Sequence, residues 1–299
     1  MSRLLWRILA SATLVVNPLA WVHKDVLDFH SKMTRFEVAS LVEGRKWVRN
    51  PHACRLTMVC YSKKERVCHA VKEREDPFVY MYETILLDLG VTLPFDFFEA
   101  NVLRMLEIAP SQLHPNGWAA IQAFKVVCLV LGILPSTPVF LNHYTTRVGQ
   151  LVSWMSLAPL PNSGLFTSYT ASYKGFKSRF VKIKAAEVGC FCLDPRPLPL
   201  YWREPPKFKG LVRSQLSLEA KVDLQLLDSL PRGMNCKDIV SWASTNNAIL
   251  CLKSEFLYVV TFFRLGLPSN ARLTNKARSA GRKASDAGTT TVAAERKLP

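Results

Sequence analysis

Apolar residues recur at helical spacing in three consecutive stretches of the chain. FVYMYETILLDLG predicts a helix ending at Gly90, because glycine commonly follows the last helical residue. After a turn at Pro94, Asp96 can cap a second helix, DFFEANVLRMLEI, which Pro110 ends. Asn116 can cap a third, GWAAIQAFKVVCLVLG, which is apolar nearly all round and is therefore predicted to lie at the centre of the core.

Beyond this third helix the spacing changes to partial alternation. Pro135 and Pro138 end the helical pattern, and PVFLNHY can add one more turn. LVSWMSLAP and GFKSRFVKIKA are rich in β-branched and aromatic residues, with Asn162-Ser163-Gly164 between them as a turn signal. They are predicted to be the arms of a small antiparallel sheet, with a third short strand at residues 199–203.

Two further helices are predicted after the strands. Ser217 begins SLEAKVDLQLLDSL, which ends before Pro231, and a short helix follows around CKDIVSWA. The expected fold class is α+β: a mainly helical domain, with helices dominating residues 77–143, a small antiparallel sheet near residues 150–203, and a disordered basic C-terminal tail.

The same patterns divide the chain into four regions. Residues 1–76 give no clear domain signal, residues 77–243 are the organised domain, and residues 244–267 form an apolar segment. Residues 268–299 hold almost no large apolar side chains, so we expect disorder there. This tail carries a loose basic run of Arg272, Lys276, Arg278, Arg282 and Lys283.

Charge adds an expectation about partners. The 39 Lys and Arg against 23 Asp and Glu give a formal net charge of +16. Such a field attracts polyanions, nucleic acid first, although charge can also serve solubility alone. The eight cysteines are too sparse and irregular for a secreted disulfide framework. They predict a reducing intracellular compartment and leave nucleus and cytoplasm open.

A membrane span is not expected, although residues 126–146 contain no charged side chain. Gly132, Pro135 and Pro138 interrupt this stretch, which favours a buried helix followed by a turn. In the third predicted helix, Trp118 and Phe124 are expected to pack in the core rather than touch a ligand.

Signals for catalysis are weak. The chain has no glycine-rich phosphate loop, no nucleophile elbow and no zinc-binding helix motif. Asp88 and Asp96 could serve a metal-dependent nuclease, but no Asp or Glu occurs between Glu107 and Glu187 to complete a carboxylate set. These carboxylates, like Glu99, are simpler to interpret as helix-end and surface residues. No enzyme activity and no cofactor are therefore predicted.

Cysteine and histidine chemistry is weak as well. His23 and His30 followed by Cys54 and Cys60 resemble a His-His-Cys-Cys zinc site, but five residues separate the two cysteines, which is too many for a tight clip. Cys128 could act as a nucleophile with His114 or His143. In an apolar helix, however, its thiol would stay protonated, so a core role is preferred.

Aromatic and basic residues interleave between residues 169 and 184. Bases can stack on the aromatic rings while cations neutralise phosphates. Alternation in a strand produces the same pattern, with the aromatics in the core and the lysines in water, and this second interpretation is the simpler one. The nucleic-acid hypothesis predicts phosphate contacts at Lys174, Lys177, Arg179, Lys182 and Lys184.

Three separated pieces carry a family resemblance: LPFDFF, IAPSQLHPNGWA and SYKGFKSRFVKI. Across residues 77–243 the chain resembles the plant transposase domain of gypsy type, found in proteins derived from long-terminal-repeat retrotransposons. The resemblance implies a gag-like or accessory part of an element and supplies no catalytic residues. It favours a non-catalytic protein that binds RNA or DNA or self-associates. A metal-dependent DNA strand-transferase and a relic without biochemical function are the alternatives.

Overall fold

The structure, a computed structural model, describes residues 19–60, 65–70, 72, 75–149, 153–169 and 175–243. All of these lie in the first of two compact units, Met1–Cys251. The described residues form eight α-helices and five β-strands arranged in two small antiparallel sheets. The predicted α+β class is therefore confirmed.

Helices and strands alternate irregularly along the chain. The α-helices are α1 (Lys24–Asp28), α2 (Arg35–Gly44), α3 (Glu83–Leu87), α4 (Phe97–Leu106), α5 (Pro115–Leu131), α6 (Thr137–Leu141), α7 (Leu218–Asp228) and α8 (Cys236–Ala243). The strands are β1 (Leu56–Val59), β2 (Phe78–Tyr82), β3 (Tyr144–Val148), β4 (Met155–Pro159) and β5 (Phe180–Ala185). Short 3-10 helices occupy Asn50–Arg55, Pro110–Gln112, Phe176–Ser178, Val188–Phe191 and Arg213–Gln215.

β5 is the central strand of the larger sheet, whose strand order is β1-β5-β2. Both pairings are antiparallel, so that Val59 of β1 and Tyr80 of β2 lie on either side of Lys182. β3 and β4 form a separate two-stranded sheet. β1 comes from residues 1–76, so this region contributes a strand to the fold. The domain boundary at residue 77 stays a prediction.

The helical core is built around α5. Trp118 and Phe124 are fully buried on this helix, as the sequence predicts. The ring of Phe95 lies 5.5 Å from that of Trp118, and the ring of Phe98 lies 5.4 Å from that of Phe124. Such stacked pairs add to the free energy gained from burial alone. Gly132 ends the helix with a φ of +70°, a backbone conformation that suits glycine.

Most of the predicted helices are confirmed with small corrections. Asp96 caps α4 through a reciprocal box: its carboxylate accepts from the amide of Glu99 at 2.9 Å, and the Glu99 carboxylate accepts from the amide of Asp96 at 3.0 Å. Ser217 caps α7, and α8 begins at Cys236. The cap of α5 is His114 rather than Asn116, because the helix begins at Pro115, a favoured first residue.

The predicted helix over FVYMYETILLDLG is half wrong. Residues 78–82 form β2, and only Glu83–Leu87 are helical. All five β2 residues are buried, so the strand shows no alternation of apolar and polar side chains. A short apolar run without alternation fits a buried strand as well as a buried helix, and the pairing with β5 decides between them.

The predicted pairing of the two later strands is also wrong. β4 pairs with β3, which precedes it closely in sequence, whereas β5 lies between β1 and β2 in the other sheet. Residues 199–203, predicted as a strand, are not in one within the described chain. Pro199 offers no backbone N–H to a ladder, and Trp202 packs instead on Trp154, with ring centroids 5.6 Å apart.

Three further expectations can be placed. α6 supplies the extra turn predicted for PVFLNHY. Among the described residues, no helix is both long enough and apolar enough to cross a membrane. The apolar segment 244–267 and the tail 268–299, with its basic run, lie outside the described residues.

Candidate nucleic-acid interface

The predicted interface centres on β5, whose side chains alternate between two faces of the sheet. Phe180, Lys182 and Lys184 share one face. Their β2 partners on that face are Tyr82, Tyr80 and Phe78, respectively. The sequence pattern of interleaved aromatic and basic residues therefore becomes a sheet face that carries four aromatic rings and two lysines.

This aromatic face is closed to solvent. Phe78, Tyr80, Tyr82 and Phe180 are each no more than 2% exposed. The rings pack edge to face, with centroids 5.1 Å apart for Phe78 and Tyr80 and 5.5 Å for Tyr80 and Phe180. Tyr201 also packs on Phe78, at 5.3 Å. Stacking of bases on these rings would require the covering chain to move away, so the rings act as core residues.

Lys182 lies inside this core rather than in water. Its side chain is 4% exposed, and its ammonium donates hydrogen bonds to the carboxylates of Glu65 and Glu75. The ammonium also lies 3.9 Å from the centroid of the Phe78 ring, a favourable cation–π position. Burial disfavours the charged form, but the two carboxylates outweigh it, and the pKa of Lys182 is raised.

Arg179 joins two helices. Its guanidinium donates to both carboxylate oxygens of Glu83 in α3, at 2.8 Å for the second, and to Glu37 in α2 at 2.9 Å. These hydrogen bonds, from Glu83 first, raise its pKa. The pKa of Glu37 falls to about 2, mainly through the Thr34 backbone amide and then through Arg179. The fork geometry of arginine suits this double contact.

The remaining candidates differ in their surroundings. The Lys177 ammonium lies 5.0 Å from the Trp154 ring centroid and 5.6 Å from that of Phe29. The Lys184 ammonium lies 3.6 Å from a carboxylate oxygen of Asp76, whose side chain is 72% exposed. Lys174 lies outside the described residues. Lys177 and Lys184 can therefore reach an outside ligand at less cost than Arg179 or Lys182.

Asp88 and Asp96, the candidate nuclease carboxylates, both lie at helix ends. Asp88 accepts a hydrogen bond from the Thr84 hydroxyl at 2.5 Å. Asp96 caps α4 and lies 2.6 Å from the ammonium of Lys125, which also contacts the buried carboxylate of Glu99 at 2.6 Å. Both carboxylates thus have structural partners. In the described part of the chain, no group of three or more potential ligands could hold a metal ion.

The candidate nucleophile Cys128 is fully buried on α5, and burial raises the pKa of its thiol. The imidazole of His114 is occupied in capping α5, where Nδ1 accepts from the Asn116 amide at 3.1 Å. The imidazole Nδ1 of His143 lies 3.0 Å from the carbonyl oxygen of Ser163. A protonated thiol and two structurally engaged imidazoles do not form an activated pair.

The comparisons with known proteins bear on the organised part of the chain. Residues 81–148 match a family model described as "Putative gypsy type transposon". The predicted resemblance to a gypsy-type, transposase-like domain is therefore confirmed for these residues, which are part of the predicted range 77–243. Neither the curated proteins nor the solved structures give a match.

The matched segment runs from the end of β2 through α3, α4, α5 and α6 to β3. It contains the capping box and the core helix α5, and it excludes β5. It also contains only three Lys and Arg against five Asp and Glu. The basic excess of the chain, and all of the predicted phosphate contacts, therefore lie outside the matched segment.

One group of cations was missed by the sequence analysis. Lys207 and Lys209 flank Phe208 just beyond residues 194–206, a proline-rich run whose sequence is typical of a loop. Both lysines are exposed, as is Arg147 of β3. The available signal was the alternation of charge in KFKG, which is too short to indicate a strand by itself.

Proposed function

We propose that this chain is a non-catalytic, gag-like or accessory protein of a gypsy-type retrotransposon that acts by binding nucleic acid. The observation that carries the proposal is the distribution of charge. The matched segment is acidic by count, whereas the whole chain has a net charge of +16. A chain whose excess cations lie mostly outside the matched segment can present them to a polyanion without disturbing the helical core.

The ion pairs indicate which cations are available to bind a phosphate. A set of described cations lies within 3 Å of an Asp or Glu carboxylate, some of them buried and some at the surface: Arg104, Lys125, Arg179, Lys182, Arg196, Arg213 and Arg232. Phosphates would have to compete with these carboxylates, at a cost in desolvation and lost pairing. Binding is therefore expected to rest on the cations that are exposed and outside such pairs, with Lys177 and Lys184 remaining candidates from the predicted set.

The salt dependence of binding tests the proposal. We expect the whole chain to bind both single-stranded RNA and duplex DNA, with an affinity that falls steeply between about 50 and about 200 mM salt as counterions are released. A version ending at Leu267 measures the share of the basic tail. Binding that survives this truncation supports a surface on the folded part. If neither version binds at low salt, the proposal fails, and self-association becomes the better account.

The absence of catalysis is tested separately. We expect the purified chain, incubated with supercoiled DNA and Mg²⁺ or Mn²⁺, to nick no more DNA than buffer alone, because Asp88 and Asp96 serve helix ends. Asp88→Ala is the matched variant. Reproducible metal-dependent nicking that disappears in Asp88→Ala would support the strand-transferase alternative instead.

A further inference from the structure

An irregular segment, residues 207–210, lies beside β3. It brings two exposed lysines, Lys207 and Lys209, close to the exposed Arg147 of that strand. The amide of Thr146 donates to the carbonyl of Phe208 at 3.0 Å, and the amide of Phe208 donates to the Thr146 hydroxyl at 3.1 Å. Residues 207–210 therefore run along the free edge of β3. This segment is not a β-strand, and within the described chain the small sheet has two strands, β3 and β4.

Gly210 fixes the direction of this segment. Its φ is +91°, and a Cβ at this position would lie 3.0 Å from the carbonyl oxygen of Tyr144. Residue 208 thus lies beside residue 146 and residue 210 beside residue 144, so the segment is antiparallel to β3. Lys207 and Lys209 flank Phe208, whose carbonyl also accepts a hydrogen bond from the Thr145 hydroxyl at 2.8 Å, so both lysines lie beside residues 145–147.

Alternation places Arg147 on the same face of the two-stranded sheet as three small residues. Thr145 and Arg147 of β3 lie opposite Ala158 and Ser156 of β4. Residues that are two apart along a strand, and residues directly opposite on its neighbour, point to the same side of a sheet. We call this face, together with the two lysines beside β3, the basic ribbon: Thr145, Arg147, Ser156, Ala158, Lys207 and Lys209. The other side buries Tyr144 and Met155 in the core.

The basic ribbon has a charge that the fold does not neutralise. Within the described chain, none of its three cations lies within 4.0 Å of an Asp or Glu carboxylate. Three like charges close together on the surface repel one another. An anion bound between them would relieve this repulsion.

The chemistry of the ribbon indicates which anion it fits. Its floor is made of Thr145, Ser156 and Ala158, which are small and leave the three cations as the prominent groups. Lys207 and Lys209 are about 6.6 Å apart along their segment, from the usual rise of an extended chain. The ribbon contains no aromatic side chain of its own, so it offers no platform for stacking bases. It suits a row of phosphates and not a base edge.

We propose that the basic ribbon binds the phosphate backbone of nucleic acid, without reading sequence. The inference rests on the proposed function and assigns it a surface, one that differs from the predicted contacts on β5. Contacts made only to phosphates predict that duplex DNA and single-stranded RNA of unrelated sequences bind alike, and that salt weakens both.

The test compares two full-length variants that lose the same charge. One replaces the ribbon cations: Arg147→Gln, Lys207→Gln and Lys209→Gln. The other replaces three exposed lysines elsewhere: Lys24→Gln, Lys46→Gln and Lys237→Gln. We expect the ribbon variant to bind duplex DNA about tenfold or more weaker at low salt, with a salt slope reduced by about 2 to 3, since each lost phosphate contact removes about 0.9. The control is expected to change much less.

Each outcome separates the two proposals. If the unaltered chain binds neither RNA nor DNA, the proposed function itself fails. If it binds and both variants weaken equally, general charge explains binding and the ribbon is wrong. If the ribbon variant loses binding to phosphatidylserine vesicles but keeps its affinity for DNA, the ribbon serves a membrane surface and the inference is also overturned. Melting temperatures of both variants equal to that of the unaltered chain confirm that folding is intact.

Discussion

Lys182→Ala is expected to lower the free energy of unfolding by about 3 kcal/mol, because breaking a buried ion pair leaves uncompensated charge behind. The Lys182 side chain is 4% exposed, and its carboxylate partners Glu65 and Glu75 are 18% and 21% exposed. Removing the ammonium would leave two largely shielded carboxylates facing each other across the aromatic face. Urea unfolding followed by circular dichroism measures the loss.

Lys184→Ala is the matched control on the same strand. Its ammonium lies 3.6 Å from Asp76, and the two side chains are 32% and 72% exposed. Exposed pairs of this kind contribute between about 0 and 1 kcal/mol, so a small loss is expected. Combining Lys182→Met with Glu65→Gln and Glu75→Gln is expected to recover part of the stability. Equal losses for Lys182→Ala and Lys184→Ala would contradict a structural role for Lys182.

The same two variants distinguish a residue that stabilises the fold from a residue that binds nucleic acid. If Lys182 acts through the core, Lys182→Ala should leave the affinity for duplex DNA unchanged at temperatures where the variant is folded. A loss of affinity in the folded variant, with a smaller salt slope, would instead make Lys182 a phosphate contact. The predicted contacts on β5 can be tested one at a time in this way.

The helices α4 and α5 of the matched segment could be predicted because their signals are local. Asp96 and Glu99 stand three residues apart, the spacing of a capping box, and Gly132 follows an apolar run. Such signals depend on neighbours within one turn. The strand β2 has no such local signal, because its five residues are buried on both faces of the sheet. Only the pairing with β5, about 100 residues later, makes them a strand.

The surroundings of the basic residues could not be predicted for the same reason. The alternating pattern predicts that Lys182 is exposed. In the fold it donates to Glu65 and Glu75, which are more than 100 positions away in the sequence. The basic ribbon likewise depends on Gly210 bringing residues 207–209 against β3. Charge counts predict an affinity for polyanions, but the partners of each cation come from the tertiary fold.

Acid is expected to destabilise the protein well before its carboxylates are protonated, because two histidines are held neutral. Burial lowers the pKa of His143 to about 4, and burial followed by the charge of Lys177 lowers that of His114 to about 4. In the unfolded chain an imidazole takes up its proton near pH 6.5. Between about pH 6.5 and 4, the unfolded state therefore binds more protons, and stability falls as pH falls.

The size of this effect follows from the difference in pKa. Between pH 7 and pH 5 each histidine is expected to cost about 2 kcal/mol, at about 1.4 kcal/mol for each unit below 6.5. The His143 side chain is buried, and its Nε2 has no hydrogen-bond partner in the described chain. Its protonation would therefore place an unpaired charge in the core.

His143→Asn removes the titrating group while an amide can still donate to the Ser163 carbonyl. Urea unfolding at pH 7 and pH 5 should show that this variant loses about 2 kcal/mol less stability on acidification than the unaltered chain. His30→Asn removes an exposed imidazole and serves as the control. If His143→Asn and the unaltered chain lose equal stability, protonation of His143 does not limit the fold in acid. His114, whose pKa is lowered by burial and by the charge of Lys177, would then be the histidine whose protonation destabilises the fold.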